Sequence, residues 1–323
     1  MEYILGIDIG GTNLVAGCVA SDGSGVEGLL SEPTRAEEGA DGVVARILAL
    51  GRRSQAALAG AVPGATVSGV GIGAPGPLDT QRGIVLLTPN LGWVDFPLRD
   101  RLSDGLDLSA SLDNDANCAV LGEHWRGAAR GTSQAIGITI GTGIGGRIIL
   151  DGKLYHGASD CAGEVGHTTI EMNGRRCACG NYGCLEAYAS GPAIARRAME
   201  AVERGAESSL RAWMDADPAS ITAQVVYEAA EAGDSLAREV VQDTARILGA
   251  AIANLVNVFN PEVVVVCGGV TLAGESLFAP LRREVTRRAF RPAVEVCRIV
   301  PGALTGSAGV YGAARSFLDS RAG

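Results

Sequence analysis

Short apolar runs alternate along the chain with longer stretches in which apolar residues recur at helical spacing. The runs predict strands at 3–9, 14–20, 66–72, 110–112, 135–140, 145–150, 262–266 and 294–299. The stretches predict helices at 37–58, 116–125, 192–204, 222–232, 235–259, 274–289 and 307–318. This alternation of strands and helices is typical of an α/β architecture.

Two glycine-rich turns occur in similar surroundings in the two halves of the chain. Gly10-Gly11-Thr12 joins the first two predicted strands, and Gly141-Thr142-Gly143 joins a later pair. The apolar residues before the turns repeat as well, from Ile7 to Ile138, an offset of 131 residues. The repeat indicates two related domains, although glycine-rich hairpins also recur by chance in a chain with 46 glycines.

Both turns are candidate phosphate-binding sites. Backbone N–H groups exposed in such turns bind anionic oxygens, and Asp8, just ahead of the first turn, is suited to hold Mg²⁺ directly or through water. Neither turn matches a Walker loop, and each leads into a strand rather than the helix that a dinucleotide fingerprint requires. A plain hairpin is the alternative for each turn alone. Together the two turns predict phosphate binding.

Four potential metal ligands lie close together in the sequence: His167, Cys177, Cys179 and Cys184. Four nitrogen and sulfur ligands suit tetrahedral Zn²⁺, and a site with all four positions filled by protein is structural. The polar segment between these residues has no apolar core, so the metal would supply its folding energy. The alternative is a loop that carries free cysteines.

Carboxylates and amides at predicted element ends are candidates for chemistry. Asp113-Asn114-Asp115 follows a predicted strand and begins a predicted helix. Either Asp could act as a general base and Asn114 could bind a hydroxyl, whereas the alternative role is capping of the helix. Asn90, Glu164 and Glu186 are further polar residues in loop-like contexts, where surface or capping roles are the alternative.

Composition and charge narrow the classes of function. The 323 residues suggest two domains, and 47% hydrophobic residues are enough for a sizeable core. A net charge of −9 and only 4% aromatic residues argue against a nucleic-acid partner. No signal peptide or membrane span is recognisable, and eight cysteines without a disulfide pattern suit a reducing compartment. The sequence therefore predicts a cytoplasmic protein that binds neither nucleic acid nor a membrane.

The order and spacing of these motifs resemble the ROK family of bacterial sugar kinases and repressors, within the actin-like sugar-kinase superfamily. The resemblance covers Gly6 to about Gly312 and is strongest to the glucokinase branch. The motifs that carry it are Asp8-Ile9-Gly10-Gly11-Thr12, Gly73-Ala74-Pro75-Gly76, Asn90-Leu91-Gly92-Trp93, Asp113-Asn114-Asp115-Ala116-Asn117, Gly141-Thr142-Gly143-Ile144-Gly145-Gly146, Gly163-Glu164-Val165-Gly166-His167, Cys177-Ala178-Cys179-Gly180 and Gly183-Cys184-Leu185-Glu186.

The resemblance implies an α/β fold of two actin-like, ribonuclease-H-like domains around a central cleft that holds ATP and sugar. One domain would comprise residues 1–115 plus about 306–323, and the other, with the zinc loop, residues 116–305. The implied sugar-binding residues are Gly76, Asn90, Asn114, Asp115, Glu164, His167 and Glu186. The implied ATP- and phosphate-binding residues are Asp8, Gly10, Gly11, Thr12, Asn13, Thr142, Gly143, Gly268 and Gly269. His167 would both ligate zinc and face the sugar through its other ring nitrogen.

The implied reaction is phosphorylation of D-glucose at O6 by ATP, with Asp115 as the base, Mg²⁺ as a cofactor and a homodimer as the assembly. The alternatives are a kinase for another hexose (N-acetylglucosamine, N-acetylmannosamine, fructose, mannose or allose) and a non-catalytic sugar-sensing regulator. A DNA-binding repressor is disfavoured because the first predicted strand begins at Tyr3. The sequence departs from the family at Asn13, where many members have Lys, and at Arg147, where many have Gly.

Overall fold

A computed structural model describes residues 1–322 of the chain, which divide into two compact units. Unit 1 comprises residues 1–131, 154–162 and 302–322, and unit 2 comprises residues 132–153 and 163–301. Among the described residues, no helix combines the length and apolar character needed to cross a bilayer.

The secondary structure alternates between strands and helices, so the predicted α/β class is confirmed. The strands are β1 (Glu2–Ile9), β2 (Asn13–Ala20), β3 (Val26–Pro33), β4 (Thr66–Ala74), β5 (Leu78–Asp79), β6 (Ile84–Thr88), β7 (Trp93–Phe96), β8 (Ala110–Asn114), β9 (Ala135–Ile140), β10 (Ile144–Leu150), β11 (Lys153–Leu154), β12 (Val263–Cys267) and β13 (Arg298–Pro301). The helices are α1 (Gly39–Ala61), α2 (Leu98–Leu106), α3 (Asp115–Arg126), α4 (Glu186–Ala189), α5 (Gly191–Glu203), α6 (Leu210–Ala216), α7 (Ala223–Glu231), α8 (Ser235–Phe259), α9 (Glu275–Arg288), α10 (Arg291–Val296) and α11 (Ala308–Ala322).

The main sheet of unit 1 has five strands in the order β3-β2-β1-β4-β8. The hairpin β1–β2 and the pair β2–β3 are antiparallel, whereas β4 and β8 run parallel to β1. The carboxyl ends of β1, β4 and β8 therefore lie at one edge, where Asp8 is in register with Gly73 and Gly73 with Asp113. In α/β sheets this edge is the usual place for ligands.

The main sheet of unit 2 has the same order of strands, β11-β10-β9-β12-β13. The pair β9–β10 is an antiparallel hairpin, and β12 runs parallel to β9 as β13 does to β12. Each glycine turn singled out in the sequence thus joins the corresponding first hairpin of its own sheet. The repeat in the sequence reflects two sheets built to one plan.

One predicted element is wrong. The apolar residues at 294–299 predicted a single strand, but α10 extends to Val296 and β13 begins only at Arg298. Pro292 lies in the first turn of α10, where the lack of an N–H costs nothing and its fixed φ favours a helix. The valines at 294 and 296 favour a strand. The proline in the first turn and the packing of α10 against α8 and α9 outweigh this preference.

Unit 1 extends further along the chain than the predicted first domain, which ended at residue 115 and resumed at about 306. Helix α3 packs closely along α11, and a side chain at Gly122 or Gly312 would collide with the backbone of the facing helix. Small residues at a crossing allow two helices to approach this closely. Unit 1 therefore keeps α3, continues to Gly131 and resumes at Gly302, with residues 154–162 as a further segment between them.

The buried carboxylate of Glu123, on α3, accepts hydrogen bonds from two segments at the limits of unit 1, one just before residue 131 and one just after residue 302. Its Oε2 accepts hydrogen bonds from the backbone N–H groups of Ala128 at 2.8 Å and Ala303 at 3.0 Å. Its Oε1 accepts from the N–H of Leu304 at 2.8 Å. The segment where the chain leaves unit 1 and the segment where it returns are therefore held by the same side chain, which is only 2% exposed.

We expect Glu123→Gln to lower the free energy of unfolding of unit 1 by about 1–3 kcal/mol, because an amide N–H₂ would replace one acceptor and face a backbone N–H. Thermal unfolding measures the loss, and hydrogen exchange at 128, 303 and 304 locates it. The control is Glu37→Gln, an exposed glutamate of the same unit that should change stability by no more than about 0.5 kcal/mol. Equal stability of the two variants would contradict the role of Glu123.

Candidate active site

Asp8 ends β1 at the ligand-binding edge of the unit 1 sheet. The side chain faces α11 at Gly309, where a Cβ atom would collide with the carboxylate. Burial, followed by the charge of Asp115, raises the pKa of Asp8 to about 7. A carboxyl group with this pKa is poorly compensated by the protein alone, and a cation beside it would favour the ionised form.

Thr34 holds the turn Gly10-Gly11-Thr12 in place through two hydrogen bonds. It is fully buried, and the sequence pattern did not single it out. The Thr34 hydroxyl donates to the Gly10 carbonyl at 2.7 Å, and its backbone N–H donates to the Thr12 carbonyl at 2.8 Å. The Gly10 N–H closes the turn by donating to the carbonyl of Asn13 at 2.9 Å. Gly11 and Thr12 remain exposed on the outer side of this pinned turn.

Asn114 and Asp115 form the start of α3. The Asn114 Oδ1 caps the helix by accepting from the N–H groups of Ala116 at 3.0 Å and Asn117 at 3.3 Å, so the capping role considered from the sequence is present. Asp115 is the first helical residue, and its Oδ1 also accepts from the Ala116 N–H, at 2.8 Å.

Both carboxylate oxygens of Asp113 accept hydrogen bonds from other side chains of unit 1. One oxygen accepts from the side-chain amide of Asn117 at 2.6 Å, and the other accepts from the Ser316 hydroxyl at 3.3 Å. The residue is 5% exposed, whereas Asp115 is only partly buried. Of the two aspartates that the sequence offered as bases, Asp115 is the one more accessible to a substrate.

Gly76 and Asn90 lie on the connection from β4 to β7. Gly76 has φ +93° and faces the carbonyl of Leu87 so closely that a Cβ atom would collide. The Asn114 side-chain amide points to the Gly76 carbonyl at 3.4 Å. Asn90 is exposed on a short 3₁₀ helix, and its side-chain amide lies 3.9 Å from a Cβ atom placed on Gly11. Unit 1 thus brings Asn90 near its glycine turn and Asn114 near Gly76.

Unit 2 contains a pocket of about 850 Å³ next to its own glycine turn. Gly141 and Thr142 form one side, and Gly269 lines another. The remaining walls come from α5, α7 and the segments around them, with apolar and polar side chains that the sequence analysis did not assign: Pro192, Ala195, Arg196, Met199, Gln224, Tyr227, Glu228, Val270 and Leu272. The sequence had predicted these helices but gave no sign of which face would line a pocket.

Gly268 supports this pocket without lining it. Its φ of +98° and its approach to the Ile140 carbonyl leave no space for a Cβ atom. The Gly141 carbonyl accepts from the N–H of Gly191 at 2.9 Å, which ties the turn to the start of α5. The volume, the exposed amides of the turn and the apolar walls suit a ligand with a flat apolar part and a phosphate chain.

Glu164 and Glu186 lie near the same turn of unit 2. Glu164 immediately precedes a 3₁₀ helix at Val165–His167, and its Oε1 accepts from the Arg147 guanidinium at 3.0 Å. The Glu186 Oε2 accepts from the Ile144 N–H at 3.0 Å, at the end of the glycine turn, and its Oε1 lies 3.6 Å from the Cys177 Sγ. Glu186 therefore connects the turn to the cysteine loop.

The four predicted metal ligands come together in unit 2. One ring nitrogen of His167 and the three Sγ atoms all lie within 4.8 Å of one another. The Sγ atoms of Cys179 and Cys184 are 3.7 Å apart, and the Cys177 Sγ is 3.9 Å from the His167 Nδ1. Tetrahedral zinc with bonds of about 2.3 Å to sulfur requires ligand separations of about 3.8 Å. The donors and their spacing fit Zn²⁺.

Comparison with known proteins identifies the family. The model of the ROK family matches residues 4–319. The chain belongs to the ROK family. It is 38% identical to a glucokinase of Halalkalibacterium halodurans over 96% of this chain and 93% of that one. It is 36% identical to a glucokinase of Thermotoga maritima over 99% and 98%.

A solved structure of the ROK family resembles the chain over almost its whole length. This ROK glucokinase of Streptomyces griseus, in complex with glucose and AMPPNP, has a TM-score of 0.78 and 36% sequence identity. The match covers 97% of this chain and 98% of that chain. The chain described above is thus a member of a family that includes glucokinases. It carries the two glycine turns, the segment Asp113-Asn114-Asp115 and the cysteine cluster.

Proposed function

We propose that the protein transfers the terminal phosphoryl group of ATP to O6 of D-glucose. The chain is an enzyme of the glucokinase type. The observation that carries the proposal for ATP is the pocket in unit 2, because it joins apolar walls to an exposed glycine turn. The proposal for glucose rests on the ROK glucokinases to which the chain is similar, one of them in complex with glucose and an ATP analogue.

Asp115 is the proposed general base, which accepts the proton of the sugar 6-hydroxyl as its oxygen attacks the phosphorus. Support comes from its place at a helix N-terminus, its partial exposure and the engagement of Asp113 elsewhere. A carboxylate at this position has an oxygen available to take a proton from a bound hydroxyl.

The phosphates of ATP are the proposed ligands of the glycine turns. Their exposed N–H groups would neutralise charge on the transferred group, which is the main need of phosphoryl transfer. Residues proposed for this role are Gly10, Gly11, Thr12, Asn13, Thr142 and Gly143, with Gly268 and Gly269 toward the adenosine. Asp8 fits Mg²⁺ because its carboxyl group lacks a compensating charge. The cation would supply charge neutralisation at the phosphates.

The sugar hydroxyls are the proposed ligands of Glu164, Glu186, His167, Asn90, Asn114 and the Gly76 loop. Carboxylates accept hydrogen bonds from hydroxyl donors, and the second ring nitrogen of His167 is left for the sugar when the other binds zinc. Zinc would hold the loop in one conformation. A homodimer remains a prediction from the resemblance, and a cytoplasmic location remains a prediction from the sequence.

Steady-state kinetics with ATP and a panel of hexoses tests this proposal. We expect kcat/KM for glucose to exceed that for N-acetylglucosamine and N-acetylmannosamine by at least about tenfold. An acetamido group at C2 replaces the hydroxyl with a larger group, which a site built to pair a hydroxyl accommodates less well. Mannose and fructose complete the panel. A higher value for an acetylated sugar would overturn the glucose assignment while leaving the kinase assignment intact, and no turnover with any hexose would overturn both.

A further inference from the structure

Arg147 is a charged residue inside the sheet of unit 2. It lies in β10, paired with Gly137 of β9, among isoleucines that are almost fully buried. Its side chain is only 8% exposed. A guanidinium in such surroundings is costly unless charged or polar partners surround it. Arg147 therefore needs a hydrogen-bonding or charged partner, and the identity of that partner indicates the role of the arginine.

The partner is the carboxylate of Glu164. The Arg147 guanidinium donates to the Glu164 Oε1 at 3.0 Å and to the carbonyl of Gly146. Glu164 itself is 44% exposed, so one end of this ion pair is buried and the other opens to solvent. The buried guanidinium thus supplies a fixed anchor for a carboxylate that would otherwise sample several rotamers.

The backbone around Glu164 is held as tightly as its side chain. Gly163 has φ +84° and lies against the Gly146 carbonyl, and Gly166 lies against the Ile144 carbonyl without space for a Cβ atom. Both contacts join the segment 163–166 to β10, the strand that carries Arg147. The backbone and the guanidinium together determine where the Glu164 carboxylate lies.

We propose that Arg147 is a positioning residue for sugar recognition, which holds the Glu164 Oε1 so that Oε2 accepts a sugar hydroxyl. This inference rests on the proposed function, because it takes Glu164 as a sugar ligand. The proposal also assigns a role to Arg147, which stands where many ROK members have Gly. In this chain the buried Arg147 both orients the Glu164 carboxylate and balances its charge.

A double-mutant cycle with Arg147→Met and Glu164→Gln tests the proposal, because Met fills the apolar path of the arginine stem. We expect Arg147→Met to lower kcat/KM for glucose about 10- to 100-fold, mainly through KM, with the KM for ATP unchanged. In the Glu164→Gln background the same change should cost less than about 2-fold, since the carboxylate to be oriented is gone. Arg147→Lys, which keeps the charge, should restore part of the loss.

The control is Arg282→Met, which removes an arginine that is 3.0 Å from Glu275 in the same unit and outside the site. It should leave glucose kinetics unchanged. Deoxyglucoses give a second readout: the analogue that lacks the hydroxyl held by Glu164 should be insensitive to Arg147→Met. If Arg147→Met does not fold, Arg147→Lys and Arg147→Gln in the same cycle replace it.

The two proposals fail in distinguishable ways. Absence of glucose phosphorylation by the wild-type protein overturns the proposed function. Additive losses in the cycle, measured with whichever hexose the wild-type protein phosphorylates fastest, overturn the role of Arg147, as does normal KM in Arg147→Met.

Discussion

Asp115→Asn should bind glucose and ATP nearly as well as the wild-type protein and lose roughly 10²–10⁴ in kcat, the usual contribution of a positioned general base. Asparagine has the same shape and can still accept from the Ala116 N–H through its Oδ1 atom. Helix α3 should therefore begin as before, and only the ability to take a proton is lost. Initial rates at saturating substrates measure kcat, and calorimetry of glucose binding checks that the site is intact.

Asp113→Asn is the matched comparison, because this aspartate lies two residues earlier and is bonded to Asn117 and Ser316. We expect it to lower the stability of unit 1 and to leave kcat within a few-fold of the wild-type value. Near-normal turnover by Asp115→Asn would assign the base elsewhere, with Asp113 the next candidate.

Cys179→Ser should remove zinc from the protein, disorder the loop at 171–184 and weaken glucose binding. The loop is irregular, with two isolated backbone bridges, Thr169 with Cys184 and Arg176 with Tyr182. The side chains that the loop buries are those of Cys177 and Cys184 themselves. A loop without an apolar core of its own draws folding free energy from its metal. Because His167 is both a proposed zinc ligand and a proposed sugar ligand, loss of the metal should release it from the sugar site as well.

Elemental analysis of purified protein should find one zinc ion per wild-type chain, and hydrogen exchange should show faster exchange across 171–184 in the variant. Cys161→Ser serves as the control, because Cys161 is exposed and lies outside the cluster. It should retain zinc and glucose affinity. A wild-type protein without zinc would rule out the metal site.

Features encoded by neighbouring residues could be predicted from the sequence. Apolar runs and helical spacing predicted α8 with the bounds Ser235–Phe259 that the structure has. The cysteine cluster and both glycine turns were also visible, because their residues are at most eighteen positions apart and their chemistry restricts what they can bind. The family could be identified for the same reason, and it is confirmed.

Features that depend on distant residues were not predictable in this way. Thr34 supports the first glycine turn only because β3 pairs with β2, and nothing in its own surroundings marks it. Arg147 was visible as an unusual residue, but its ion pair with Glu164 depends on how the segment 163–166 returns to β10. Likewise, packing of Gly309 on Asp8 joins residues 301 positions apart (309 − 8).

The discontinuous composition of unit 1 has a consequence for how the chain is made. Val310, Ala314 and Phe317 of α11 bury Ile4 and Val19 of the first hairpin in one apolar cluster. The ribosome adds the roughly 170 residues between 131 and 302 before it reaches that helix. At about 5–20 residues per second, one face of the unit 1 sheet stays uncovered for roughly 10 to 30 s. The nascent chain therefore exposes this apolar face while unit 2 is being synthesised.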